Sequence, residues 1–431
     1  MHRRQFIKQS AGMVSVGMVM PNLLLGARGA TGVSGASASS GRRIFVVIQL
    51  AGGNDGLNTV IPYTDSNYHG MRPTISFKDS ELKDPAGNST IISDQFGFHP
   101  ALAELKGLYD AGRVAVALGV GYPNPTLSHF LSMDIWHTAN LGGVGTEGWL
   151  GKYADLQLAG KPGLPATAVG GVLPKTLFSN NVVIPSIINF QVYDFLTDPA
   201  FAGDSKNQLA TFEQIAGRDL PAGSLDAAAS TTGLNAVQDA LKVKAAIANY
   251  SSQVVYPADN PLAQGLQMLA QIITTIPEVS LLYVTLGSFD HHSDQISHPS
   301  GTPNKLAGQH AQLLGWFSQA VKLFYDDLAQ HSLADNVVIM QWSEFGRRVN
   351  ENASFGTDHG TAAPLFIVGN PVAGGLYGKQ PSLDPLSLDS AGNMVFTTDF
   401  RSVYSTILDK WLGVDSNQVL GARHEDLGFL G

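Results

Sequence analysis

The chain has 431 residues and not one cysteine. That absence excludes disulfides, thiolate metal sites and cysteine nucleophiles together, so any metal must be held by oxygen and imidazole ligands. Charge is also scarce. Only 14% of residues are charged, with 26 basic against 35 acidic, a formal net charge of −9. A chain with that balance has no broad basic face, which argues against a nucleic-acid partner. No apolar run is long enough to span a bilayer stably; the longest candidate, residues 11–25, is short and interrupted. No internal repeat is visible, and the only low-complexity tract is the Gly/Ser-rich linker at 32–41.

What is present begins with an address. Arg3-Arg4-Gln5-Phe6-Ile7-Lys8 is a twin-arginine pattern ahead of the modestly apolar stretch, and Ala36-Ser37-Ala38 offers an A-x-A-like cleavage point, with a cut near Ala30 as the alternative. The expected partner during export is the twin-arginine translocase and the expected location the periplasm, with no stable transmembrane anchor. Removal of residues 1–38 leaves 22 basic against 35 acidic residues, a mature charge of −13. Twin-arginine export carries folded proteins, often ones already loaded with a metal or cofactor.

With 44% hydrophobic residues the chain can bury a large core. Apolar, β-branched runs predict strands at 44–50, 114–120, 279–286, 337–341 and 365–369; apolar residues at helical spacing predict helices at 99–112, 233–251, 262–276, 305–330 and 400–412. The alternation is that of an α/β fold. Residues 150–260, rich in Gly, Ala, Ser and Asn, read as an insertion or cap on one main domain at 39–431.

Polar residues gather where these strands end. Asp55 follows the 44–50 strand and the Gly52-Gly53 pair; Asp290-His291-His292 follows 281–286; Glu344 and Arg347 follow the next strand; Asp358-His359 sits between Gly356 and Gly360. In open α/β sheets, ligands collect beyond such strand ends, so residues distant in sequence can meet there. A fixed carboxylate beside imidazole suits a divalent cation, and in an extended segment Asp290 and His292 point to one side and His291 to the other. Asn54-Asp55-Gly56 reads equally as a turn. Glu344 is a ligand or the acceptor behind one, Arg347 an anion clamp or half of a surface ion pair. Ser128, before His129, could attack an ester if a metal lowers its pKa, with Thr126 and Thr59 as alternatives. Imidazole with carboxylate favours Zn²⁺, though Mn²⁺ or Fe would also accept it.

These motifs, in their order, resemble those of the exported DUF1501 proteins, which look like divergent members of the alkaline phosphatase and sulfatase superfamily. The matching stretches are residues 50–58, His99-Pro100-Ala101-Leu102, Gly121-Tyr122-Pro123, Ser128-His129-Phe130, Asp290-His291-His292, Glu344-Phe345-Gly346-Arg347 and Gly356-Thr357-Asp358-His359-Gly360. The resemblance implies a three-layer α/β/α sandwich around a mostly parallel sheet. It also implies one ion on Asp55, Asp358 and His359, a second on Asp290 and His292, and Ser128 as nucleophile between them. The expected activity is hydrolysis of a small-molecule phosphate or sulfate ester; the alternative is a non-catalytic exported binding or assembly protein with at most one structural metal. One superfamily ligand, a further C-terminal histidine, has no counterpart except His424.

Overall fold

The computed structural model describes residues 41–143, 145–161, 163–188, 203–221 and 223–431. The export signal read at 1–38 lies outside the described residues. The strands are β1 (Ile44–Leu50), β2 (Val60–Ile61), β3 (Gly97–Phe98), β4 (Val114–Gly121), β5 (Ala166–Val169), β6 (Ser186–Ile187), β7 (Leu281–Leu286), β8 (Val337–Trp342), β9 (Ala363–Val368), β10 (Gly375–Gly378) and β11 (Thr398–Asp399). The main sheet runs in the order β10-β4-β9-β8-β1-β7-β5-β6, with β11 pairing the end of β4; β2 and β3 form a separate antiparallel pair.

β1 lies at the centre because all seven of its residues are buried, the mark of a strand covered on both faces. Its side chains divide by period two. Ile44, Val46, Ile48 and Leu50 join the cluster under the helices Ala103–Asp110, Pro261–Thr275 and Gln309–Gln330. Phe45 and Val47 join the opposite cluster, under Trp149–Gln157 and Phe400–Thr406. The result is a three-layer α/β/α arrangement with a mostly parallel sheet. Each large side chain so enclosed contributes roughly 1.5–3 kcal/mol.

One strand runs against the rest. β9 pairs antiparallel with both β8 and β4, because only a loop, with no crossover helix, connects β8 to it. The reversal has a consequence for chemistry. Loops following β1, β4, β7 and β8 emerge at one sheet edge, and the loop preceding β9 emerges at the same edge. His359 therefore precedes its strand yet meets residues that follow theirs.

The stretch read as a cap contributes β5 and β6 to the sheet edge, and its long helix Leu225–Asn249 packs on Pro261–Thr275. The helix expected at 400–412 is α-helical over Phe400–Thr406 and widens to a π-turn over Ile407–Leu412. Among the described residues no helix is long and apolar enough to cross a membrane.

Two glycines let the edge loops close on one another. Gly52 has φ +122° and Gly53 φ +76°, conformations that side chains rarely tolerate. A Cβ on Gly52 would lie 2.5 Å from the Asp290 backbone nitrogen, and one on Gly53 would lie 2.4 Å from the Phe345 ring. The loops after β1 and β7 thus lie backbone to backbone only because position 52 has no side chain, and the Phe345 ring after β8 fills the space where position 53 has none. Gly52→Ala is expected to cost at least about 2 kcal/mol in urea unfolding, from overpacking and backbone strain. The helical Gly107, where an added Cβ meets nothing within 4 Å, serves as the control; Gly107→Ala should be neutral or stabilising by about 0.5–1 kcal/mol.

Candidate metal centre

Four loops deliver the site. Asp290 and His292 follow β7, Glu344 and Arg347 follow β8, His359 precedes β9, and His129 opens the helix His129–Thr138 after β4. His129, Asp290 and His359 offer ligand atoms that all lie within 4.8 Å of one another. Nε2 of His359 stands 3.1 Å from Nε2 of His129, 2.9 Å from Nε2 of His292 and 3.1 Å from Oδ1 of Asp290. Asp290 Oδ1 is also 3.2 Å from His292 Nε2, and its Oδ2 is 3.4 Å from His129 Nε2.

The protons on these rings are fixed from behind. His129 Nδ1 meets Glu344 Oε1 at 2.7 Å, His292 Nδ1 meets Asp358 Oδ1 at 3.0 Å, and His359 Nδ1 meets the Leu127 carbonyl at 2.8 Å. Carboxylate and carbonyl oxygens only accept, so each Nδ1 must donate. In the neutral rings, all three Nε2 atoms are then bare lone pairs aimed at one another and at a carboxylate. That arrangement holds only with positive charge at its centre. One proton could bridge one pair, whereas a divalent ion could be shared by His129, His359 and Asp290; ligands on a tetrahedral zinc lie about 3.3 Å apart, close to the separations of these three. The pattern of imidazole with an acceptor behind it is how proteins orient metal-binding histidines.

Electrostatics agree with this. Burial pushes the Asp290 carboxyl up, but the hydrogen bond and charge of Arg347, with the imidazoles around it, outweigh it and bring the group down to about 2, so it is a carboxylate at neutral pH. His129 is raised above its ordinary range, chiefly by the hydrogen bond to Glu344. Glu344 is only 1% exposed and also accepts from the Gly52 N–H at 2.8 Å. Asp290, His292 and Asp358 are about half exposed, so the centre opens to solvent on one side, as a catalytic site requires.

The residues expected at the site fall into two groups. Asp290, His292 and His359 are brought together. Asp358 stands behind His292, with Asn352 Nδ2 3.3 Å from the same carboxylate oxygen. Asp55 is placed elsewhere. It is 1% exposed, its Oδ2 accepts from Arg72 at 2.7 Å and from Gln295 at 2.6 Å, and its Oδ1 is buried without a partner. The shared ion expected on Asp55, Asp358 and His359 is therefore not the arrangement found: the fully buried Arg72 guanidinium supplies the counter-charge to Asp55. His291 is turned inward and its ring packs edge-on against His310. His424 stands near Asp399 and Arg401, in the C-terminal tail.

Arg347 is likewise fully buried, and all three of its nitrogens are engaged. It donates to the carbonyls of Gly53, Thr357, Gly52 and Phe289 and, at 2.7 Å, to Asp290. It ties loops together and sets Asp290, with no nitrogen left facing solvent. Its neighbour Arg348 is the opposite case. Half-buried, it makes no side-chain hydrogen bond or ion pair among the described residues, and its Nε is buried without a partner. Strand alternation beside His359 separates the two arginines, a distinction that adjacent identical letters conceal. Ser128 is half-buried at the N-cap of the His129 helix, and its hydroxyl makes no hydrogen bond among the described residues. Thr59 is fully buried and donates to the Asp55 carbonyl, and Thr126 Oγ1 accepts from the Ser128 N–H.

The sequence profile of DUF1501, a family described as proteins of unknown function, matches residues 42–425. The chain belongs to the DUF1501 family. No curated protein matches it. Among solved structures, this DUF1501 protein is similar to Ps i-CgsB in complex with k-i-k-neocarrahexaose, with 11% identity over 90% of this chain and 74% of that one and a TM-score of 0.41. It is similar also to the PsFucS1 sulfatase from Pseudoalteromonas sp. (12% identity, 90% and 74% covered, TM-score 0.38). A third is an alkaline phosphatase superfamily protein from Vibrio parahaemolyticus (12% identity, 79% and 63% covered, TM-score 0.30). At these scores the chemistry of the DUF1501 site rests on its own residues.

Metal binding and proton binding compete for His129 Nε2, since Nδ1 already donates to Glu344. Affinity for Zn²⁺ is expected to fall as pH drops from neutral. Glu344→Gln removes the negative charge that helps to raise His129, so the midpoint of that fall should move to lower pH while affinity at neutral pH weakens about 10- to 100-fold. Competitive chelator titration across the histidine range measures both; an unchanged midpoint and affinity would separate Glu344 from the centre.

Proposed function

We propose that the protein is an exported, metal-dependent hydrolase of phosphate or sulfate esters that uses Ser128 as nucleophile. The observation that supports this reading is the convergence of His129, His359 and Asp290, with His292 against His359; Ser128, whose hydroxyl has no hydrogen-bond partner among the described residues, directly precedes His129 in the chain. A divalent ion held by these residues would polarise an ester oxygen and lower the pKa of a hydroxyl next to it. Zn²⁺ suits the imidazole-rich donor set. Asp290, kept ionised by Arg347, supplies the anionic ligand. Glu344 holds His129 in the tautomer that leaves Nε2 free. Ser128 precedes His129, so the residue that fixes one ligand also fixes the attacking oxygen. Arg348, unpaired and within the electrostatic reach of Asp358, is the cation available to an anionic substrate. Export through the twin-arginine translocase belongs to the same proposal and accords with a metal loaded before crossing.

A second reading is an exported binding protein with one structural ion. It is favoured by Asp55, which Arg72 occupies and so withholds from a second ion.

The mature protein, loaded with Zn²⁺, should hydrolyse members of a panel of phosphate monoesters, phosphate diesters and sulfate esters. Chelation should abolish turnover, and Ser128→Ala should lower it at least about a hundredfold without loss of bound metal. A silent panel with tightly bound metal that raises the melting temperature would leave the structural-ion reading in its place.

A further inference from the structure

Phe345 has two neighbours of different character. Its ring centroid lies 4.8 Å from those of both His129 and His359, so it backs the metal-binding imidazoles. It also forms part of the wall of a cavity of about 140 Å³. The remainder of that wall is chiefly Tyr122, Pro125, Met394, Val395 and Phe396.

Apart from Asn124, the polar side chains on this lining are already engaged. The Tyr122 hydroxyl bonds Ser132, and the Thr361 hydroxyl donates to the Met394 carbonyl. Asp389, the one charged residue on the wall, accepts from Asn393 and from the Ala391 and Asn393 backbone N–H groups. No cation lines the cavity, so it offers nothing to a sulfate or phosphate group and repels a polyanion. Its size is that of a small aromatic ring; an apolar protein cavity of about 150 Å³ accommodates benzene. Val395, 51% exposed, leaves a mouth to solvent.

Resting on the hydrolase reading above, we propose that this cavity is the subsite for the apolar, ring-sized part of the ester, so that the substrate class is aryl or benzyl esters. The anionic end of such a substrate faces His129 and His359, and its ring enters the cavity across the edge of Phe345. The division follows the chemistry: lone-pair ligands on one side of the ring, and on the other an aromatic-lined slot whose one charged group, Asp389, is anionic and already hydrogen-bonded.

Two measurements on the full mature protein separate this proposal from the one it rests on. In the first, crystals are soaked with 4-bromophenol and the bromine is located by anomalous scattering. Solution NMR titration with the same probe then compares wild type with Val395→Trp, a half-exposed position where a large side chain can narrow the mouth. Bromine in the cavity, with binding weakened at least fivefold by Val395→Trp, is expected. Bromine absent from the cavity, or binding unaffected by the substitution, overturns the proposal whatever the ester panel gives. In the second, kcat/KM for phenyl and methyl esters of the same acid is compared. Val395→Trp should lower the phenyl value tenfold or more and leave the methyl value within twofold; an equal fall in both overturns the assignment. If no ester is turned over while bromophenol occupies the cavity, the ring site stands and the hydrolase reading is what fails.

Discussion

The buried guanidinium of Arg347 is the constraint from which the site follows. Its nitrogens reach carbonyls after β1, carbonyl and carboxylate after β7, and a carbonyl in the loop before β9. The carbonyls of Gly53 and Thr357 have no other hydrogen bond among the described residues, and leaving such an acceptor buried without a partner costs about 1–3 kcal/mol. A single planar fork satisfies them together, and in doing so fixes the separation of three loops. Asp290 gains its low proton affinity from the same contact. The lone pairs of the histidines can converge because the loops carrying them are held at this spacing by a residue that never touches solvent.

Two buried arginines each pair with a carboxylate that follows a strand, with different consequences. Arg347 leaves Asp290 half exposed, with oxygens near three imidazoles. Arg72 encloses Asp55 in a nest with Asn58, Tyr68 and Gln295. Removing one partner of such a buried pair typically costs about 3–5 kcal/mol, so the Asp55 pair is a strong fixture of the β1 turn. That energetic role explains a carboxylate at this strand end without assigning it an ion.

Much of the sheet was legible because its strands are enclosed on both faces. Runs such as Ile44–Leu50 and Val337–Trp342 have no solvent face to interrupt them. Asp290, His292, Asp358 and His359 could be singled out because strand ends followed by glycine turns carry polar clusters at few other places. The antiparallel direction of β9 was readable in principle, since residues 343–362 show no helical pattern to carry a parallel crossover. The pairing of Asp55 with Arg72 was not. Arg72 caps the C-terminus of the short helix Ser66–Met71, before Pro73, and nothing local marks it as the partner of a strand-end carboxylate. Nor could adjacent letters reveal that Arg347 points inward and Arg348 does not, because that depends on which face the β8 loop presents to Gly52 and Gly53. Glu344 behind His129 required the β4 and β8 loops to meet, a contact between residues 215 apart.

The central claim is that the bare Nε2 atoms of these histidines converge on a metal ion. A crystal of the mature protein grown with Zn²⁺, with anomalous data collected on both sides of the zinc edge, tests it directly. The account predicts a peak about 2.0–2.1 Å from Nε2 of His129 and His359 and at bonding distance from Asp290. A fully occupied zinc peak at Asp55 instead, or no peak among the three histidines at saturating metal, would contradict it.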